Sequence, residues 1–478
     1  MAPDNYPYER DIDAGGRAPH PSIIRASDIR GVVGETLFAE DARAIGQAFG
    51  TVVKSCGGDR VAVGYDGRLT SPELENALCL GLAASGIDVI RIGRGPSPML
   101  YFAVHHLDVH GGIMVTGSHN PPEFNGFKMM LGKAGFFGRD IGHLAEIAAK
   151  GAFHRGDGSI REISVVNAYR DRLLVEALGV KEMKVAWDPG NGATADIVRG
   201  LVPGLPGYHR IINGGIDGTF PAHHPDPTVP KNLEQLKAVV REDRMDIGVA
   251  FDGDGDRIGV IDHRGRILWG DQLMMLFAEE VLKSQPGAPI IADVKTSQAL
   301  FDRVACLGGE PVMWKTGHSF IKSKMTELRS PLAGEMSGHI FFADRFFGFD
   351  DALYAAVRLL ALVSRSKLVL ADLVDALPKM VNTPELRFDC RDDQKADLVE
   401  AVGRLLTPDH GVVSRIDGLR VNTGKGWWLL RASNTQPVLV ARCEAENEKD
   451  LETLRKQLTG LLRDAGYRGE MPEELYES

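Results

Sequence analysis

Three aspartates at alternate positions, Asp252, Asp254 and Asp256, follow an apolar run in the stretch IGVAFDGDGDR, Ile247 to Arg257. The glycines between them let the loop curl, so that the three carboxylates converge. Two like unit charges about 4 Å apart repel by roughly 4 kcal/mol in a protein-like dielectric, so the converged set needs a cation. Hard oxygen ligands favour Mg²⁺, with water or a phosphate oxygen filling its remaining positions. A calcium EF-hand loop is the main rival and fails on two counts. Arg257 stands where that loop requires glycine, and His263 where it requires a bidentate glutamate. A solvated Asp-Gly turn is the plain alternative, disfavoured by the buried-looking strand that precedes it.

Three other segments carry functional groups at useful spacing. Thr116 to Lys128 reads TGSHNPPEFNGFK and directly follows an apolar strand, which puts Ser118 on a loop at a strand's C-terminal end, where open α/β sheets bind ligands. A bare serine is a weak nucleophile, whereas a phosphorylated serine is a ready phosphoryl donor, and His119 and Lys128 could manage its proton and charge. A polar Asn-Pro turn with a surface serine is equally consistent with this segment alone. In Gly334 to His339, GEMSGH, Glu335 and Ser337 share a side if the segment is extended and could grip two neighbouring hydroxyls; an ordinary loop is the alternative. Arg431 to Pro437, RASNTQP, lies between two strands and offers a guanidinium, two hydroxyls and an amide, a set suited to a phosphate dianion or to a simple hairpin turn. Two decoys are set aside. WDPGNGATA, Trp187 to Ala195, has a GxGxxA pattern without a suitable acid about twenty residues on, and reads as a structural βα turn. His223 and His224 in PAHHPDP lack a third ligand and read as loop packing.

The elements that must position these groups alternate short apolar runs with helical ones. Val61 to Tyr65 reads as a strand, Pro72 to Ser85 as a helix capped by Ser71 and stopped by Gly86, Asp88 to Ile92 as a strand, Pro98 to His106 as a helix, and Gly112 to Val115 as a strand. New units begin near Lys184 and near Pro289, with strands at Val185 to Trp187 and Pro289 to Ala292. This is βαβ logic with parallel or mixed sheets. The last hundred residues read instead as an α+β unit: Val412 to Val421, Trp427 to Arg431 and Val438 to Cys443 alternate like hairpin strands, and Leu451, Leu454, Leu458, Leu461 and Leu462 line one helix face. Its boundary falls near Pro378 to Pro384, and EMPEELYES reads as a solvated tail.

Composition narrows the partners. A chain of 478 residues at 44% hydrophobic and 25% charged is globular and too long for one core. A net charge of -10 argues against nucleic acid and anionic membranes, leaving small molecules as ligands. Five scattered cysteines, never paired as CxxC, suit a reducing compartment, and the Pro- and Gly-rich leader before residue 22 has no apolar stretch. The long apolar region from Ala352 to Val363 is broken by Arg358. A cytoplasmic protein with a disordered leader is expected.

Together and in this order, TGSHNP, DGDGDR, GEMSGH and RASNT resemble the α-D-phosphohexomutase superfamily, most closely its bacterial phosphomannomutase/phosphoglucomutase branch. IIRASDIRGVVGETL from Ile23, DGR at Asp66 to Arg68, HHPDP and FGFDDALYAA from Phe347 also look like the family, and the match runs to about Arg468. The resemblance implies four domains, heart-shaped around a central cleft, three sharing an α/β topology of mixed sheets and the C-terminal one α+β. The expected division is a leader over 1–21, a phosphoserine domain over 22–162, a metal domain over 163–267, a sugar-recognition domain over 268–380 and a phosphate-binding domain over 381–478.

By residue, it implies Ser118 as the phosphoserine contacting the metal, Asp252, Asp254 and Asp256 as Mg²⁺ ligands, and Arg257 as support for their loop. Arg30, His119, Lys128 and His339 would surround the transferring group, with His339 a candidate general acid or base. Lys295 and His318 would line the cleft, Glu335 and Ser337 would bind sugar hydroxyls, and Arg431, Ser433, Asn434 and Thr435 would hold the non-reacting phosphate. Ser27 stands where the family often has tyrosine. The activity implied is reversible phosphoryl transfer between the 1- and 6-positions of mannose or glucose phosphates, with hexose 1,6-bisphosphate as intermediate and activator. The alternatives are a metal-dependent sugar phosphatase using the same serine, and a non-catalytic sugar-phosphate-binding module.

Overall fold

The computed structural model describes residues 16–433, 436–472 and 475. Four sheets follow one another along the chain, and the first three repeat one arrangement. In the first, Asp88–Arg94, Arg60–Tyr65 and Gly111–Val115 run parallel, and Phe124–Leu131 returns antiparallel to the last of them. In the second the same places are taken by Gly207–Ile211, Met183–Asp188, Ile247–Phe251 and the returning Ile258–Asp262. In the third they are taken by Glu310–Trp314, Pro289–Asp293, Leu332–Gly334 and the returning Ile340–Phe342.

In each sheet the loop between the third strand and the returning fourth carries one motif. These loops are residues 116–123 with Ser118, 252–257 with the three aspartates, and 335–339 with Glu335, Ser337 and His339. The strands before the first two loops are buried along their whole length, as expected for strands covered on both faces by helices. One apolar core runs without a break through all three sheets, joining Leu100, Trp187, Phe251, Phe277 and Tyr354.

The fourth sheet is antiparallel, in the order Val381–Asn382, Val438–Ala445, Gly426–Ala432, Leu419–Asn422, Val412–Ser414, with Leu386–Asp389 also paired to Val438–Ala445. Its own core includes the five leucines of the helix Glu448–Asp464. A small apolar contact of Val294 with Trp427 and Leu429 joins it to the third unit.

Several expectations need correction. The run from Val412 to Val421 is two strands, because Gly418 at φ +75° turns the chain where a Cβ would lie 2.4 Å from Leu430 O. Ser71 opens the helix Ser71–Ala84 without capping it, since its hydroxyl is committed to Asp66. The charged tail is not wholly solvated: Leu475 is buried in the fourth core, with Met471 packed against it. Arg358 does interrupt the apolar run, but it is not solvated: it sits buried inside the helix Ala352–Arg365, its guanidinium forked onto Asp344 at 2.9 and 3.0 Å. Of the expected leader, residues 1–15 lie outside the described residues, while Arg17 pairs with Asp41 and its N–H donates to Ala148 O. Among the described residues no helix is long and apolar enough to cross a membrane.

Candidate active site

The aspartate loop is organised by its first member. Asp252 Oδ1 accepts the backbone N–H of Gly255, Asp256 and Arg257 at 3.0, 3.1 and 3.1 Å, curling the chain around one carboxylate oxygen. Gly255 has φ +77°, and a Cβ on Gly253 would stand 2.3 Å from Ser118 O, so the glycines permit both the curl and the approach to the serine loop. One oxygen from each of Asp252, Asp254 and Asp256 lies within 4.8 Å of the others, all three residues fully buried.

Burial, then Asp256 and Asp254, push the Asp252 carboxyl well above the ordinary carboxylate range. Asp254 Oδ1 and Asp256 Oδ1 have no hydrogen-bond partner among the described residues. Orphaned anionic oxygens in an all-oxygen donor set fit Mg²⁺. A second trio, Asp256, His339 and Asp350, is equally close, but Arg257 Nε donates to His339 Nε2 at 2.9 Å. The neutral ring therefore carries its proton on Nδ1 and has no lone pair left for an ion there.

Neighbours from the first sheet hold the aspartates. Lys128 Nζ lies 2.7 Å from Asp254 Oδ2 and also pairs with Asp256 Oδ2. Although burial opposes the charge, Asp254 and Asp256 keep the ammonium protonated well beyond its usual range. The Ser97 hydroxyl also donates to Asp254 Oδ2, and Thr116 Oγ1 lies 3.2 Å from the same oxygen. Asp254 is thus fixed through one oxygen while the other stays free for a cation.

Ser118 lies against this loop, with its Oγ donating to Asp252 Oδ2 at 3.2 Å and standing 3.3 Å from His119 Nδ1. Its backbone adopts φ +50°, a costly conformation for a residue with a Cβ. The serine loop is held open from beneath. The Arg68 guanidinium donates to Ser118 O, Asn120 O, Pro121 O and Phe124 O at 2.8, 2.6, 2.5 and 3.0 Å. Asp66 accepts from Thr116 Oγ1 and Gly117 N at 2.8 and 3.1 Å. Arg30 donates to Gly117 O at 2.6 Å and to Asn120 Oδ1 at 2.5 Å, and pairs with Asp28. His119 is kept neutral far below its usual range, first by burial and then by Arg257 and Arg30.

Glu335 and Ser337 do come together, but in a turn and not in an extended run: Gly338 N–H donates to Glu335 O at 3.0 Å. Ser337 Oγ donates to Glu335 Oε2 at 3.0 Å, and Gly317 N donates to Oε1 at 2.7 Å. His318 heads the next helix, its ring stacked 5.6 Å from that of His339. Asp350 gathers this group, with Lys322 Nζ at 2.9 Å, His339 Nδ1 at 3.0 Å and His318 Nδ1 at 3.6 Å.

Lys295 and Arg431 stand where the third and fourth units meet. Lys295 Nζ pairs with Glu385 Oε2 at 3.0 Å. Arg431 Nε donates to Asp417 Oδ2 at 3.0 Å, and the same oxygen accepts Thr316 N at 3.0 Å, next to Gly317 and hence to Glu335. Ser433 follows Arg431, and the expected phosphate ligands Asn434 and Thr435 lie outside the described residues. Lys395 Nζ holds this loop from behind, donating to Ser433 O at 2.6 Å and Gln436 O at 3.2 Å. Ser27 lies beside Gly317, where a Cβ would be 3.5 Å from its hydroxyl. The two decoys pack on each other, His223 Nε2 lying 2.9 Å from Asp188 Oδ2.

Sequence reading missed Asp66, Arg68, Ser97, Asp350, Glu385 and Lys395. Only the DGR and FGFDDALYAA stretches carried a signal for any of them.

Comparison with known proteins places the chain in a family along almost its whole length. The models described as phosphoglucomutase/phosphomannomutase alpha/beta/alpha domains I, II and III match residues 21–155, 165–265 and 269–381, and the C-terminal domain of that family matches 385–461. The phosphomannomutase/phosphoglucomutase of Pseudomonas aeruginosa is 44% identical over 434 residues, 91% of this chain and 94% of its own. A phosphoglucomutase of Neisseria meningitidis is 42% identical over 444 residues, 92% of this chain and 96% of its own. The crystal structure of a phosphoglucomutase/phosphomannomutase family protein from Burkholderia thailandensis superposes with a TM-score of 0.88 at 43% identity, covering 94% of this chain and 99% of that one.

Proposed function

The chain belongs to the phosphoglucomutase/phosphomannomutase family and is a hexose-phosphate mutase, and we propose that it works through phosphorylated Ser118 and a hexose 1,6-bisphosphate. The observation that carries this is the approach of Ser118 Oγ to Asp252 within a fully buried carboxylate triad. Glycine would adopt the same left-handed backbone without strain, so what Ser118 adds at that cost is its hydroxyl, placed against Asp252 and His119.

In the first half of the cycle the Ser118 Oγ–P bond breaks as a sugar hydroxyl oxygen bonds to phosphorus, and the hydroxyl proton passes to a nearby base. His339 is the candidate: Asp350 faces its Nδ1, and its Nε2 lone pair, which accepts Arg257 Nε–H here, would take the proton once the substrate hydroxyl displaces that contact. The bisphosphate then turns end over end, and its other phosphoryl group returns to Ser118 Oγ. Asp252, Asp254 and Asp256 would hold Mg²⁺, which when bound offsets charge on the phosphoryl oxygens. Arg30 and Lys128 add fixed positive charge beside the serine, so that the step is driven by positioning and electrostatics.

Glu335 and Ser337 would read two adjacent hydroxyls, Lys295 and His318 would line the sugar cleft, and Arg431 with Ser433, Asn434 and Thr435 would hold the phosphate not being transferred. Substrates are small hexose phosphates, with no nucleic acid or membrane as partner. Free cysteines throughout support a cytoplasmic setting. A coupled assay on glucose 1-phosphate and mannose 1-phosphate tests the reading: formation of the 6-phosphates supports it, whereas release of inorganic phosphate alone would make the protein a phosphatase.

A further inference from the structure

Lys295 belongs to the third unit by sequence, yet the fourth unit holds it at both ends. Arg420 Nη1 donates to Val294 O and Thr296 O at 2.7 and 2.8 Å, and Arg442 Nη1 donates to Lys295 O at 2.5 Å. Three successive carbonyls are thereby gripped by two buried arginines of the fourth sheet. Arg420 is itself laid 3.7 Å over the Trp427 ring, and Trp427 packs on Val294.

The side chain of Lys295 then ends on Glu385, which opens the fourth unit. Glu385 Oε2 takes the Lys295 ammonium at 3.0 Å, and Oε1 accepts from Arg387 Nη2 at 3.0 Å. Arg387 Nη1 reaches on to Gln436 Oε1 at 2.5 Å, inside the loop that would hold the phosphate. Burial works against the Glu385 charge, but Lys295, Arg387 and Arg431 outweigh it and bring its pKa down to about 2, so the pair is ionic throughout the working range.

A lysine has a long flexible stem, and an ammonium that must meet substrate gains from having its rotamers fixed beforehand. The two arginines fix the start of that stem, and Glu385 is the group that fixes its tip. We propose that Glu385 is a positioning residue which aims the Lys295 ammonium at the substrate and ties it, through Arg387, to Gln436. The role rests on the mutase reading, in which Lys295 lines the sugar cleft. Glu385 touches Lys295 and not the reacting atoms, so its loss should appear mainly in substrate affinity.

Steady-state kinetics on glucose 1-phosphate with Mg²⁺ and glucose 1,6-bisphosphate test this, comparing wild type, Glu385→Gln, Lys295→Met, the double variant and Arg387→Met, with a thermal melt of each. Glu385→Gln should raise KM by about tenfold while kcat stays within about threefold, and the double variant should match Lys295→Met alone, because Glu385 acts through Lys295. Arg387 is half exposed, so Arg387→Met should melt like wild type and still raise KM by about threefold. A Glu385→Gln variant with wild-type KM, or a double variant in which the two losses simply multiply, would overturn the role. Should Glu385→Gln fail to fold, an unchanged KM in Arg387→Met would do the same. No glucose 6-phosphate from wild type itself would instead refute the mutase reading, and the Glu385 role with it.

Discussion

Arg257 Nε donates to His339 Nε2 at 2.9 Å, while Nδ1 of the same ring stands 3.0 Å from Asp350 Oδ2. A guanidinium only donates, so the contact assigns the tautomer: the lone pair is on Nε2 and the proton on Nδ1, facing a carboxylate. Asp350 stays ionised far below the usual carboxylate range, because Lys322, His339 and His318 outweigh its burial. Three separate loops therefore converge to orient one imidazole.

Asp350→Asn should lower kcat by about a hundredfold with a much smaller change in KM, since the amide can no longer favour the proton on Nδ1. Steady-state kinetics, with a thermal melt to show that the variant is folded, check this. A folded variant with wild-type kcat would mean that His339 needs no such partner.

Chelation should stop turnover and lower the melting temperature, and Mg²⁺ should restore both. Three buried carboxylates repel one another, Lys128 compensates only part of that charge, and Asp254 Oδ1 and Asp256 Oδ1 are left unpaired. Activity and a melting curve measured with excess EDTA, then after added Mg²⁺, decide it. Full activity in EDTA would remove the metal from the account.

Asp351 makes stability depend on pH. Its carboxyl is pushed up to about 7, chiefly by burial, against the opposing hydrogen bonds from Tyr354 N–H and the Tyr169 hydroxyl. In the unfolded chain it titrates near 4. Between about pH 4 and pH 7 the folded state binds the extra proton, so this contribution falls as pH rises, by at most about 1.4 kcal/mol per unit. It is whole below that window and lost above it. Asp351→Asn keeps the helix cap and carries no charge at any pH, so it should melt above wild type at pH 8 and near it at pH 5. Melting curves across that range check the sign.

Glu335 and Ser337 are joined at 3.0 Å, and in the proposed reading they would meet two neighbouring hydroxyls and set sugar choice. A substrate that turns end over end must be read near the middle of its ring, at the 3- and 4-hydroxyls. Glucose and mannose differ only at carbon 2. Their phosphates should have kcat/KM values within about a hundredfold of each other, while galactose phosphate, inverted at carbon 4, should be rejected by roughly 10⁴-fold. Assay of the three sugar 1-phosphates under one set of conditions checks this, and equal turnover of galactose 1-phosphate would show that Glu335 and Ser337 do not read those hydroxyls.

The parts of the site that were legible in the sequence are those written within one loop. The aspartate triad occupies five consecutive residues and bends by its own glycines, so spacing alone predicted its convergence. Strands such as Ile247–Phe251 announced themselves by continuous apolar runs. Groups that act across the chain did not. Arg68 reaches Ser118 O from 50 residues away, Ser97 reaches Asp254 from 157, and Glu385 reaches Lys295 from 90, and no local period encodes such pairings. The three α/β units were legible from their alternating elements, but not that their motif loops occupy one place in each sheet, because equivalent loops carry different functional side chains. Gly418 shows the limit within an element, since a positive φ inside an apparently continuous strand pattern has no hydrophobic signature.

Ser118 is the hinge of the account, and phosphate on its Oγ can be weighed directly. After incubation with glucose 1,6-bisphosphate and Mg²⁺, the intact mass of wild type should carry one phosphoryl group, located on the peptide containing Ser118. Glucose 6-phosphate added next should remove it and yield bisphosphate. Ser118→Ala should take up none and show no steady-state turnover, while binding substrate within about tenfold of wild type, because the nucleophile and not the grip is lost. A Ser118→Ala protein that still acquires phosphate, or turns over like wild type, would contradict the assignment of Ser118 as the residue that carries the transferred group.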